Sequence, residues 1–234
     1  MRTLSVLFFL AGLALVLGAA LAQGGLAVFI DQANVAGNTF STGSWITLNA
    51  LGDTYLKAGT PNKNQGSETF VRVQNSGNNR SLVIFDSTEI TDAAAGKTLN
   101  TAVLRLYVEN NGNNWGASGR AVDVHRVTTA WTELGATWNC PDDTDTGNSA
   151  PDCAVQWAGG TFTASATDSV VHTNGLLGWV EWDVTADVAA IIAAPATNSG
   201  WLVKKNDEAA NGRANYTSRE GAANSPELFL TFLA

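Results

Sequence analysis

The stretch Arg80-Ser81-Leu82-Val83-Ile84-Phe85-Asp86 holds four consecutive apolar residues with a charged residue at each end of the run. A strand that is apolar on both faces must be covered on both faces, so we expect it at the centre of a packed sheet. Most of the remaining chain alternates apolar and polar residues with period two, and short turns rich in Gly and Asn interrupt it. This pattern is typical of an all-β protein and predicts an antiparallel β-sandwich.

The same alternation predicts which side chains of each strand enter the core. In two of the strands, Arg105, Tyr107, Asp123 and His125 are expected to face outward. The residues expected inside are Val71, Val73, Leu104, Leu106, Val108, Val122, Val124, Leu228, Leu230 and Phe232. One short helix is expected, over residues 186–194, with Thr185 as its N-cap and Pro195 ending it.

The N-terminus has the features of a signal peptide. Arg2 supplies a basic start, residues 4–17 are an apolar core, and Ala20-Leu21-Ala22 fits the cleavage rule. The apolar run is shorter than the roughly 20 residues of a membrane span, which disfavours the alternative of a retained membrane helix. We therefore expect a signal peptide at 1–22, an N-terminal extension or assembly strand at 23–51, and the sandwich at 52–234, in a secreted protein with no membrane contact after cleavage.

Charge and cysteine content restrict the partners and the compartment. The net charge of −8 argues against nucleic acid, since phosphate binding needs a basic surface. In an oxidising compartment, Cys140 and Cys153 are expected to form a local disulfide that stabilises the fold by about 3 kcal/mol. Zinc is not expected, because neither His125 nor His172 stands at ligand spacing from the cysteines.

An acidic loop is the one candidate metal site. Asp142, Asp143 and Asp145 offer carboxylates close together, and Gly147 allows the chain to turn. Calcium takes six to eight oxygen ligands, so the loop could contribute to a structural calcium site. It lacks the closing Glu of an EF-hand loop, and a solvated loop is the alternative. No other cofactor is expected.

Sugar binding would need exposed aromatic faces and polar or charged groups that reach hydroxyls. Trp115 and Trp157 lie beside polar loops and are the candidate stacking residues, whereas the other tryptophans of the central motifs look structural. Lys204, Lys205 and Arg213, with Arg219 nearby, concentrate positive charge that could meet uronate carboxylates. The alternative is that these basic residues are scattered over the surface of an acidic chain.

The sequence offers little for catalysis. It contains neither a Gly-x-Ser-x-Gly elbow nor a His-Glu-x-x-His motif. Carboxylates such as Glu133, Glu181, Asp183 and Glu220 are available, but the separations that acid–base chemistry requires are not set by sequence. We therefore expect a protein that is not an enzyme.

Separated motifs along most of the chain carry a family resemblance. They are Asp53-Thr54-Tyr55, Arg80 to Asp86, Ala102 to Tyr107, Trp131-Thr132-Glu133, Thr137-Trp138-Asn139, Trp182 to Thr185, and Ser218-Arg219-Glu220 before Pro226-Glu227-Leu228. In this order they resemble the DNRLRE domain, also called carbohydrate-binding module family 96, over about residues 53–233. The resemblance implies a jelly-roll-like sandwich in a secreted protein that binds a polysaccharide. The multidomain members of the family carry a catalytic partner, and none is expected for this chain.

The N-terminal segment shows a second, shorter resemblance, to TasA- and camelysin-type matrix proteins. The residues that carry it are Phe29, Asp31, Val35, Gly37, Asn38, Thr39, Phe40, Thr42, Gly43 and Leu48. It implies that residues 24–48 pair with the sheet of a neighbouring subunit, and the alternative is an edge strand or linker within one chain. The first hypothesis is thus a secreted, non-catalytic module that recognises cell-envelope or matrix polysaccharide. The second is a structural subunit of an extracellular fibre or matrix that self-associates through this segment.

Overall fold

The computed structural model describes residues 43–75 and 78–233. The expected signal peptide and the strand and turn expected before residue 43 lie outside the described residues. The strands are β1 (Ser44–Asn49), β2 (Gly52–Lys57), β3 (Phe70–Gln74), β4 (Asn79–Ile84), β5 (Thr98–Asn111), β6 (Arg120–Arg126), β7 (Asp168–His172), β8 (Gly178–Asp183), β9 (Trp201–Lys205), β10 (Arg213–Thr217) and β11 (Glu227–Leu233). The helices are α1 (Ser87–Ala94), α2 (Thr185–Ala193) and a 3-10 turn at Pro195–Thr197.

All strand pairs are antiparallel, and the strand order is β1-β11-β5-β10-β3-β4-β9-β6-β7. Two strands branch from this path, since β8 pairs with β5 and β2 pairs with β4. We call β1, β11, β5 and β8 the β5 half and β2, β4, β9, β6 and β7 the β4 half, with β10 and β3 joining them. The two halves face each other, because Leu104 and Trp182 of one share a buried cluster with Val83 and Val203 of the other. The predicted all-β sandwich is confirmed.

Strand β4 lies at the centre of its half, between β2 and β9. Its alternate side chains enter two different clusters. Val83 joins the core between the halves, whereas Leu82 points the other way and packs against Leu56 and Leu202 in a second cluster. Both residues are at most 1% exposed, so the strand is covered on both faces, as its continuous apolar run predicts.

The second cluster is covered by residues 127–163, which we call the cover segment. Its Trp131, Ala136 and Trp157 pack onto the outward-facing leucines of the β4 half. The Cys140–Cys153 disulfide closes a loop within the segment, which confirms the predicted pairing. The end of the cover also packs on His125, which was expected to face outward and is 5% exposed, with the Phe162 ring 5.0 Å from the imidazole. Asp123, also expected to face outward, is 4% exposed because Ser169 and Asn206 donate hydrogen bonds to its carboxylate.

The helices differ from the prediction of one. Helix α1 was not expected, although Asp86 caps it by accepting a hydrogen bond from the Thr88 N–H at 2.6 Å. Its Ile90, Ala93 and Ala94 enter the core at helical spacing, and this is the signal that was missed. Neither helix in the described ranges is long and apolar enough to cross a membrane.

The N-cap of α2 was also predicted wrongly. The capping position is Val184, without a side-chain cap, and Thr185 is the first helical residue. The Thr185 hydroxyl instead accepts a hydrogen bond from the Ala102 N–H at 2.9 Å, which ties the helix to β5. The helix ends at Ala193, and Pro195 begins the 3-10 turn.

Candidate ligand-binding face

The outer surfaces of the two halves differ in exposure. The β4 half carries the cover segment, whereas the outward side chains of the β5 half are partly or fully exposed. We call this surface the open face. Its outward residues are Trp45, Thr47, Asn49, Thr101, Val103, Arg105, Tyr107, Trp179, Glu181, Asp183, Glu227, Phe229 and Thr231.

Strand register places these residues in rows across the open face. Trp179 on β8 lies opposite Tyr107 on β5, and in the next row Glu181, Arg105 and Glu227 lie side by side. The two aromatic rings of the first row make an edge contact, with centroids 5.4 Å apart and planes at 82°. Cross-strand neighbours on one face interact directly, so these rows form continuous side-chain surfaces.

Arg105 is held in place on the open face by two carboxylates and two aromatic rings. Its Nε donates to Glu181 Oε1 and its Nη1 to Glu227 Oε2, each at 2.9 Å. The guanidinium also lies 4.8 Å from the centroid of Trp179 and 5.8 Å from that of Phe229. A planar cation held by two carboxylates and packed on aromatic rings limits the motion of those rings, so Trp179 is presented in a defined orientation.

Trp45 lies at the opposite corner of the open face. It is 70% exposed, and it faces Thr231 on β11, which in turn faces Thr101 on β5. With strands about 4.8 Å apart and a rise of about 3.3 Å per residue, the face measures roughly 14 Å by 20 Å between Trp45 and the Trp179 row. The two indoles therefore stand near the ends of one diagonal.

Hydroxyl and amide groups fill the corner between β1 and β5. The Thr101 and Thr231 hydroxyls are hydrogen-bonded to each other at 2.7 Å, and Asn100 donates to the Thr231 hydroxyl at 3.2 Å. Thr47 and Asn49 are exposed on the edge strand β1. The open face thus combines aromatic rings with groups that donate and accept hydrogen bonds.

The stacking residues predicted from sequence do not lie on this face. Trp115 is fully buried, donates its indole N–H to Asn111 Oδ1 at 2.9 Å, and packs against His172. Trp157 is 6% exposed and donates its indole N–H to the Thr137 carbonyl at 2.8 Å in the cover segment. Buried indoles with satisfied N–H groups present no ring face to a sugar, so the expected exposed stacking surface at these two positions is wrong.

The basic residues predicted to form a patch are separated. Lys204 and Lys205 are adjacent on β9 and so point to opposite faces of the sheet. Lys204 Nζ lies 3.9 Å from Glu208, whereas Lys205 is 1% exposed and donates to the Ala210 carbonyl, and burial lowers its pKa to about 8. Arg213 Nη2 donates to Asn110 Oδ1 at 3.3 Å on the far end of β5. Each charge is engaged locally, and they do not form one patch.

The acidic loop is held together by its own hydrogen bonds. Asp142 accepts from the Thr132 hydroxyl at 2.5 Å, and Asp145 accepts from the Gly147 N–H at 3.1 Å. Asp143 is 5% exposed, and its Oδ1 accepts from the Asp145 N–H at 3.1 Å. The three carboxylates therefore serve three different partners, and calcium binding here stays a prediction.

A different set of acidic residues converges, from three of the sequence motifs. Oxygens of Asp53, Glu133 and Glu220 lie within 4.8 Å of one another, a grouping found among the described residues. Arg219 neutralises part of this charge, with its Nη1 3.2 Å from Glu133 and its Nε 3.3 Å from Glu220. Burial raises the pKa of Asp53 to about 7, while its Oδ2 accepts the Arg219 backbone N–H. This cluster ties β2, the cover segment and the loop after β10 together.

Fold and face together define a β-sandwich module in which the outer surface of the described β5 half is lined with aromatic and hydrogen-bonding groups. The chain belongs to carbohydrate-binding module family 96, whose sequence model matches residues 44–232. The resemblance predicted from the separated motifs is therefore confirmed. No curated protein matches the chain.

Sequence reasoning did not single out Trp179, Tyr107, Phe229 or Trp45 as binding residues. The signal was present in part, because the period-two pattern placed Arg105 and Tyr107 outward on β5. The pattern does not specify the strand register that aligns outward aromatic residues from different strands. It also does not show that the cover segment packs on the β4 half.

Proposed function

We propose that the protein is a secreted, non-catalytic module that binds cell-envelope or matrix polysaccharide on the open face. The observation that carries this is the Trp179–Arg105–Tyr107 group on the uncovered β5 half, in a member of a carbohydrate-binding family. Stacking on Trp179 and Trp45, with hydrogen bonds from the residues between them, would hold an extended sugar chain across the sheet.

Two further observations support the non-catalytic and extracellular parts of the proposal. The carboxylate with the most strongly raised pKa, Asp53, is 1% exposed, and its Oδ2 accepts the Arg219 backbone N–H, so it is not presented to a substrate. The disulfide in the cover segment is of a kind that persists in oxidising compartments, in agreement with the predicted leader.

The alternative of a fibre subunit rests on residues 24–48. Of these, residues 44–48 belong to β1 and pair with β11 of the same chain, from Ser44 opposite Phe232 to Leu48 opposite Leu228. Residues 24–42 lie outside the described part of the chain, and self-association through them stays a prediction.

The test is binding of soluble polysaccharides, measured by affinity gel electrophoresis and titration calorimetry, to the wild-type protein and to Trp179→Ala. We expect the substitution to weaken binding at least about tenfold, the loss typical of an aromatic anchor. Leu134→Ala is the matched control, because it shortens a side chain that is 63% exposed on the cover segment. Equal binding by wild type and Trp179→Ala would place the site elsewhere.

A further inference from the structure

The charges on the open face point to the class of polysaccharide, an inference that rests on the proposed function. Among the outward residues of the described β5 half, Arg105 is the one cation. Around it lie the carboxylates of Glu181, Glu227 and Asp183, with Glu109 exposed at the end of β5. The open face therefore carries a net negative charge.

The single cation already has two carboxylate partners. Its two ion pairs are both at 2.9 Å, and its side chain is 25% exposed, whereas that of Glu181 is 56% exposed. An incoming carboxylate that approached the guanidinium would meet both glutamates at short range. The Thr185 hydrogen bonds lower the pKa of Asp183, which keeps that neighbouring carboxylate charged as well.

We infer that the open face binds an uncharged hexopyranose polymer and rejects polyuronates. The aromatic rings stack on apolar sugar faces, and the exposed carboxylate oxygens accept hydrogen bonds from sugar hydroxyls. A polyuronate can make the same stacking contacts, but repulsion between its carboxylates and those of the open face opposes its binding. Glu181 and Glu227 are paired with Arg105, which leaves Asp183 and Glu109 as the carboxylates that a cationic polymer could meet, so a cationic polymer is the competing ligand that the test must exclude.

Three soluble probes of different charge test this specificity. They are a neutral β-glucan or galactomannan, polygalacturonate or alginate as polyuronate, and a soluble chitosan. We expect a neutral probe to bind with an affinity that changes less than about twofold between about 0.02 M and about 0.5 M salt, because no ion pair forms. We expect polyuronate to bind at least about tenfold more weakly at low salt.

A gain-of-function variant makes the test specific to this face. Glu181→Gln combined with Asp183→Asn removes two exposed charges and leaves Glu227 to hold Arg105. We expect the ratio of polyuronate affinity to neutral-probe affinity to rise by on the order of tenfold at low salt, because the amide oxygens still accept hydrogen bonds from sugar hydroxyls but carry no charge. Glu68→Gln combined with Asp207→Asn is the control, because both residues are exposed in loops that follow β2 and β9 of the β4 half and the change in net charge is the same.

The outcomes separate this inference from the proposed function. Preferential binding of polyuronate or chitosan over neutral polymers would overturn the inference. If Trp179→Ala also abolished that binding, the proposed binding site would still be supported. A control pair that improves polyuronate binding as much as the open-face pair would also overturn it, since the effect would be one of net charge. A wild-type protein that binds none of the probes overturns both.

Discussion

The Arg105 guanidinium lies 4.8 Å from the Trp179 ring centroid, held there by Glu181 and Glu227. This contact joins the charged row of the open face to its aromatic row. Arg105 therefore acts as a positioning residue for the indole.

Arg105→Met keeps the apolar stem and removes the guanidinium. We expect glycan affinity to fall about three- to tenfold, because Trp179 loses its stacked cation and the two glutamates repel each other. Stability should change by less than about 1 kcal/mol, as for an exposed ion pair. Calorimetric titration and urea unfolding measure the two effects.

Arg80→Met is the control for this variant. Arg80 also makes a two-pronged contact with a glutamate, Glu208, and packs 4.8 Å from the Trp138 ring, but its side chain is only 12% exposed in the covered β4 half. Its loss should destabilise the fold and leave glycan affinity unchanged. The opposite pattern, with Arg80→Met losing affinity and Arg105→Met retaining it, would contradict the assignment of the open face.

Asp53→Asn is expected to remove a pH-dependent loss of stability. Because burial raises the pKa of Asp53 from 3.8 to about 7, the folded state keeps a proton that the unfolded chain releases between those values. The free energy of unfolding therefore falls as pH rises from about 4 to about 7, by at most about 4 kcal/mol. The asparagine should be more stable than wild type at pH 8 and nearly equal to it at pH 4, since its Oδ1 can still accept the Arg219 N–H.

Urea unfolding at pH values across this window measures the difference between the two proteins. His172, whose pKa burial lowers to about 4, makes stability rise with pH below about 6.5, but it is present in both proteins and cancels in the difference. Asp92→Asn, which removes an exposed carboxylate from α1, is the matched control for the loss of one negative charge. A flat difference for Asp53→Asn would show that the carboxyl titrates normally.

Replacing both cysteines by serine is expected to loosen the cover segment. The loss should be about 3 kcal/mol, which for a domain of this size lowers the melting temperature by about 6–12 °C. Because Leu56, Leu82 and Leu202 lie under the segment, binding of an apolar dye should rise before global unfolding. Glycan binding should persist, since the open face is on the other half, and its loss would show that the cover contributes to the site.

Trp115→Phe tests whether a buried tryptophan contributes to glycan binding in the way proposed for Trp179 and Trp45. The indole N–H bond to Asn111 is lost and a small cavity is left, so we expect destabilisation of about 1–3 kcal/mol with unchanged glycan affinity. Chemical unfolding and calorimetric titration give the two values. A drop in affinity without a drop in stability would return Trp115 to the binding site.

The core could be predicted from sequence because it depends on local alternation. Leu104, Leu106 and Val108 are all fully buried, as expected, since the side-chain period of a strand is fixed by its backbone. The same pattern identified β4 as covered on both faces. It did not identify what covers β4, because the cover segment is mostly irregular and has no periodicity to read.

The binding face could be predicted only in part. Trp115 follows a polar loop, which suggested exposure, but the loop folds over His172 on β7, a strand that was not expected. Tyr107 was correctly placed outward, yet its partnership with Trp179 depends on the β5–β8 register. Such long-range pairing is set by tertiary packing, and no local pattern specifies it.

The edge position of β1 has a dynamic consequence for recognition. Strand β4 is paired on both sides and buried on both faces, so its amides should exchange with solvent at the rate of global unfolding, whereas β1 pairs only with β11 among the described strands and should open more readily. Trp45 therefore stands on the least protected strand of the open face, and Trp179 on a second edge strand. A bound glycan that spans both would slow hydrogen exchange in β1 most. Glycan binding would therefore also stabilise the edge of the sheet against local opening.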